Sequence, residues 1–180
     1  MLQDATSDTA EPPLAAAIVG DRGSDIDALL ADAVRRQQHR GRRVRGFVMR
    51  RPGATGGCAA QMLLVDVATG EEHLVSQPLG RESRGCRADG AAFARASRVL
   101  REALEDAPDL IVSNRFGDLE AQQRGGFGAE LLATMARGVP LLTTVAERNV
   151  AAWQQFTGGA AVLRADPAAV DAWLERVLER

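Results

Sequence analysis

Short apolar runs alternate with helix-patterned segments along this chain, and that alternation limits its fold more than any other feature. Residues 109–112 (Asp-Leu-Ile-Val) read as a buried strand and 127–137 as a helix closed by Gly138; a strand over 139–145, a short helix over 149–156 and a last strand over 160–163 follow. Asp166-Pro167 then opens a final helix, with the cap and the proline in the positions each prefers. The chain starts the same way. Residues 14–20 form an apolar run ending at Gly20, after which Ile26, Leu29, Leu30, Ala33 and Val34 repeat at helical spacing as far as Gly41. Residues 44–49 give a second strand, and a helix capped near Asp89 runs to about Asp106. Residues 61–67 and 72–76 flank Ala68-Thr69-Gly70 and read as a β-hairpin. Parallel neighbours need a long crossover, usually a helix, so this order predicts an α/β fold: a mostly parallel sheet, helices on both faces, and the hairpin added to it or packed beside it.

The 180 residues suffice for one good core. A polar, flexible tail over 1–13 followed by a single domain over 14–180 is the expected division. The tail carries Asp4, Asp8 and Glu11 and lacks the basic start and apolar run of a signal peptide, and no apolar stretch is long enough to cross a bilayer. The expected location is the cytoplasm. A formal net charge of −2 supplies no field that would gather nucleic acid or a membrane surface. All 22 basic residues are arginine, which excludes Schiff-base lysine chemistry and the lysine of a phosphate-gripping P-loop. Tyrosine is absent; two cysteines and two histidines, Cys58, Cys86, His39 and His73, are too few for a structural zinc site. No residue presents itself as a catalytic nucleophile.

Ligands of open α/β sheets bind beyond the carboxyl ends of the strands, which directs attention to the loops there. The first, Gly20-Asp-Arg22-Gly23-Ser24-Asp25, joins a strand to a helix start, where free backbone N–H groups suit a phosphate; Asp21, Asp25 and Asp27 oppose that, and an ordinary glycine turn with a capping residue is the favoured reading. Residues 76–89 hold Ser76, Arg81, Ser83, Arg84 and Arg87, guanidinium forks beside hydroxyls that suit a tetrahedral oxyanion or, equally, a solvated loop. Directly after a buried strand come Asn114, Arg115, Glu120 and Arg124, the best-placed candidates; Glu120 is expected to pair with an arginine. The run from Arg35 to Arg51 reads as a solvated helix end, because it lacks the aromatic platform that single-stranded nucleic acid favours. Cys86 lies between Arg84 and Arg87 with no histidine near it in sequence; a bland buried thiol is the favoured reading.

In order, Gly20-Asp-Arg-Gly-Ser-Asp25, Ser76-Gln-Pro-Leu-Gly80, Ser83-Arg-Gly-Cys-Arg87, Asn114-Arg-Phe-Gly117 with Glu120, Arg124-Gly125, Asn149 and Trp153 resemble the DUF2478 family, over nearly all of the chain after Pro13. That resemblance implies a link to molybdenum transport and a fold related to the P-loop nucleoside triphosphatases, with Gly20–Asp25 at the Walker A position and Leu110–Asn114 at the Walker B strand. The chain departs from the active pattern by having no lysine and by Asn114 where an acid is expected, so efficient hydrolysis is not expected. Residues and resemblance together imply a cytoplasmic protein that binds molybdate or tungstate through Ser76, Arg81, Ser83, Arg84, Arg87, Asn114, Arg115 and Arg124, with Glu120 as an orienting anion, and serves molybdenum uptake, storage or homeostasis. The alternatives are a divergent nucleoside triphosphatase that binds a nucleotide, and a non-catalytic regulator that binds a molybdate-transporter component. Homo-oligomerisation stays open.

Overall fold

The computed structural model describes residues 14–20, 25–52, 61–77 and 88–180. The expectations for the tail over 1–13, the loop residues Arg22, Gly23 and Ser24, the segment with Arg81, Ser83, Arg84 and Arg87, and both cysteines therefore fall outside the described residues. Seven strands form one sheet: β1 Ala15–Gly20, β2 Val44–Arg50, β3 Leu63–Asp66, β4 Glu72–Leu74, β5 Leu110–Phe116, β6 Leu141–Ala146 and β7 Ala161–Arg164, in the spatial order β4-β3-β2-β5-β6-β1-β7. The run β2-β5-β6-β1-β7 is parallel throughout, and the hairpin β3–β4 extends its β2 edge with antiparallel pairs such as Phe47 with Asp66. The hairpin is thus part of the sheet.

Two helical layers cover the sheet because successive strand residues point to opposite faces. Helices α1 (Ile26–His39) and α6 (Pro167–Leu178) pack on the face that carries Ala16, Ile18, Leu110 and Val112. On the other face Ala15, Ala17, Ile111 and Val145 meet α2 (Gly90–Glu105), α4 (Gly128–Ala136) and α5 (Val150–Thr157). The aromatic contacts of that layer include Phe116 edge-on to Trp153 at 5.4 Å and Phe47 stacked on Phe127 at 5.6 Å. Among the described residues no helix is long and apolar enough to cross a membrane.

The helix starts follow the sequence. Asp25 accepts from Ala28 N at 3.0 Å, Asp89 from Ala91 N at 2.9 Å and Asp166 from Ala169 N at 3.1 Å, each satisfying an otherwise orphan first-turn donor. Strand β5 is longer than the apolar run predicts, because β6 offers polar partners to its end: Thr143 bonds Ser113, and Phe116 N donates to Thr143 Oγ1 at 3.2 Å. A polar loop was expected from residue 113; the strand instead buries Ser113 and Asn114, and a short helix α3 (Asp118–Ala121) follows. His73 packs edge-on against Phe47 at 5.5 Å. Most of the arginine run is ion-paired, with Arg36 to Asp171 and Arg45 to Asp106 as examples, so much of its charge is locally balanced.

One backbone approach is especially tight. A Cβ at Gly46, whose φ is +109°, would lie 2.0 Å from the Val112 carbonyl oxygen on the neighbouring strand. Gly46→Ala should therefore destabilise the protein by about 3 kcal/mol, read as a lower denaturant midpoint at an unchanged slope.

Candidate functional site

The parallel strands direct the end of β1, the start of α1 and the ends of β2, β5 and β6 to one edge of the sheet, and among the described residues a polar network there centres on Asp27. Asp27 lies in the first turn of α1, where the helix dipole favours an anion, and its side chain is 15 % exposed. It accepts from Asn114 Nδ2 at 3.0 Å, from Arg115 Nη2 at 3.2 Å and 3.5 Å on its two oxygens, and from Arg51 Nε at 3.2 Å. Thr144 Oγ1 donates to Asn114 Oδ1 at 2.8 Å. The amide orientation follows from chemistry: an ionised carboxylate only accepts, so Asn114 turns its NH2 toward Asp27 and its oxygen toward the threonine hydroxyl.

Beside this network lies a cleft of about 290 Å³. Arg51, Arg115 and Arg148 line it together with Asp118 and Glu120, and Met49, Met62, Phe93 and Leu119 supply apolar wall. Arg115 Nε is buried and has no hydrogen-bond partner among the described residues, and Arg51 meets Asp27 through Nε. The remaining guanidinium donors on this side suit a multiply charged oxygen anion. Arg148 reaches Asp118 at 3.2 Å, and Asn149 Nδ2 donates to the same carboxylate at 2.9 Å. That amide bond, aided by Arg148, holds the Asp118 carboxyl below the ordinary aspartate value although burial opposes it.

Glu120 behaves differently. Its buried carboxylate accepts from Gly117 N at 3.0 Å and Phe127 N at 2.8 Å, which ties the start of α3 to the start of α4. Gly126, at φ +68°, lets this happen, since a Cβ there would come within 2.0 Å of Glu120 Oε1. Among the described residues Glu120 has no arginine partner, contrary to the expectation, and backbone amides take the place of a guanidinium. Burial pushes its pKa above the ordinary glutamate value, against the pull of those amides.

The structure brings Arg115 and Glu120 to the cleft. Ser76 stands at its rim, where Ser76 Oγ accepts from Met62 N at 3.0 Å and Ser76 forms a β-bridge with Ala88, another cleft residue. Asn114 is fully buried beneath, and Arg124 is exposed on the turn after α3, outside the cleft lining. Gly20 borders a separate hollow of about 840 Å³, whose charged lining of Arg164, Glu147 and Asp166 is not biased toward an anion. Sequence reasoning missed Asp27 as an organiser and Arg51 and Arg148 as cleft donors. A signal for Asp27 existed: in the spacing Gly-x4-Gly-Lys-Ser/Thr, counting from Gly20 puts Asp25, Ile26 and Asp27 at the last three positions, so Asp27 stands at the hydroxyl position. Among the described residues no cluster of histidine, cysteine, aspartate and glutamate could hold a metal ion.

Fold and site together define a three-layered α/β protein of P-loop-like type with a polar, arginine-bearing carboxyl edge. A family model described as a protein of unknown function, DUF2478, matches residues 15–173, and the chain belongs to that family. It is also 37 % identical over 164 residues to a molybdenum import ATP-binding protein, ModC 2, of Bradyrhizobium diazoefficiens. The match covers 91 % of this chain and 18 % of the relative, so the chain spans about a fifth of that protein's length. No solved structure matches significantly.

The raised pKa of Glu120 has a defined sign. A carboxyl that binds its proton more tightly in the folded state contributes stability that is fully present below its unfolded pKa and lost as pH rises through the higher folded value. Glu120→Gln should remove that segment of the stability-versus-pH curve, so the difference between mutant and wild-type denaturation midpoints should change with pH above the ordinary glutamate range.

Proposed function

We propose that this protein is a cytoplasmic anion-binding accessory module of molybdenum uptake or storage, whose cleft holds a tetrahedral oxyanion, molybdate or tungstate, without turning over nucleotide. The observation that carries the reading is the convergence of Arg51, Arg115 and Arg148, from the ends of three different strands, on one cleft at the carboxyl edge. Guanidinium groups give paired, directional donors that match oxygen anions. The sequence reading adds Arg81, Ser83, Arg84 and Arg87 to the proposed donors, and Ser76 stands at the rim of the cleft. Arg124 would act only as a more distant charge, and Gly20, Arg22, Gly23 and Ser24 as a secondary anion position. The molybdenum context rests on the named relative.

A nucleoside triphosphatase is the less favoured reading. Magnesium in P-loop proteins is held by the loop hydroxyl and an acid at the end of the Walker B strand, where this chain has Asp27 and the neutral Asn114. The residues present do not fit the ion, because a cation at Asp27 would meet Arg51 and Arg115 already bonded to that carboxylate. A transporter-regulating role has its own support: in the relative, the matching segment is covalently part of a much longer protein named for molybdenum import. The two roles are compatible, since an anion sensor beside an importer would do both.

Titration calorimetry should show saturable binding of molybdate or tungstate in competition with sulfate and phosphate. Arg115→Ala should weaken it at least about tenfold, the worth of one charge-assisted hydrogen bond lost. Absence of saturable binding with all four anions would remove this reading, and magnesium-dependent phosphate release from ATP or GTP would restore the enzyme.

A further inference from the structure

We infer that Asp27 is a built-in counter-anion that sets the affinity and the charge preference of the cleft, an inference that rests on the anion-site reading above. Its carboxylate is held as a bound oxyanion would be held, by one amide NH2 and two guanidinium groups that approach both oxygens. Those contacts fill the roughly four lone-pair directions that a carboxylate offers. Arg51 and Arg115 are the same side chains that line the cleft, so every anion that enters meets guanidiniums already half neutralised by a tethered one.

Asp27 cannot leave easily. It sits in the first turn of a helix that packs on the sheet through Ile26 and Leu30, and its neighbour Asp25 caps that helix. A ligand therefore takes the donors that Asp27 leaves unused, on the cleft side of both guanidiniums, and feels the carboxylate as a like charge a few ångströms behind them. Such repulsion grows with ligand charge, because the Coulomb energy scales with the product of the charges. Dianions such as molybdate pay it twice over compared with monoanions such as perrhenate. The residue thus keeps binding loose and reversible, and its removal should tighten binding most for the dianion.

The sign separates this role from a merely structural one. Damage to the fold lowers affinity, whereas loss of a counter-anion raises it. With the full chain, molybdate and perrhenate titrated into Asp27→Asn should bind more tightly than into wild type, by at least about tenfold for molybdate and by less for perrhenate. Asp27→Ser, which removes the charge and shortens the side chain, should move in the same direction and serves if the asparagine variant does not fold. Arg115→Gln should lose binding in either background. Unchanged or weaker molybdate binding in the folded Asp27 variants, with wild type still binding, would overturn the inference and leave the anion site standing. No binding of molybdate to wild type or to any Asp27 variant would remove both.

Discussion

A carboxylate in the first turn of a helix, pressed against the polar end of a buried strand, needs hydrogen-bond donors in place of the water it has lost. In this protein the donors come from separate elements: Asn114 and Arg115 from β5 and Arg51 from just beyond β2. Burying one charge without partners would cost several kcal/mol, so the position of Asp27 dictates where both arginines must point. Thr144 on β6 completes the arrangement by fixing the Asn114 amide. The described side chains of the carboxyl edge are thereby held in one arrangement.

With no lysine in the chain and a neutral amide at the end of β5, the positive charge at this edge is carried by guanidinium groups that cannot lose a proton and that hold fixed directions. Glu120, the one buried acid lining the cleft among the described residues, is committed to two backbone amides and joins α3 to α4.

Much of the fold was legible because it rests on local rules. The alternation of apolar runs with helical periods gave the parallel sheet, and Asp89 and Asp166 announced their helices as caps. What escaped depends on contacts between distant segments. The polar residues Ser113 and Asn114 read as a loop, and only the threonines of β6, thirty positions on, turn them into strand. Arg115 was found because it follows a buried strand, whereas Arg51 was hidden in a run of arginines most of which pair with acids elsewhere in the fold. Asp27 was read as an obstacle to phosphate. The sign of its charge was right, but its partners lie twenty-four, eighty-seven and eighty-eight residues away, and no local pattern reveals them.

The most direct test of the account is where a heavy oxyanion goes. Crystals soaked in tungstate and measured at the tungsten edge should give an anomalous peak in the cleft, within hydrogen-bonding distance of Arg115 and Arg51 and opposite Asp27. A peak confined to the Gly20 turn or to the hollow between β1 and β7, with the cleft vacant at saturating tungstate, would contradict it.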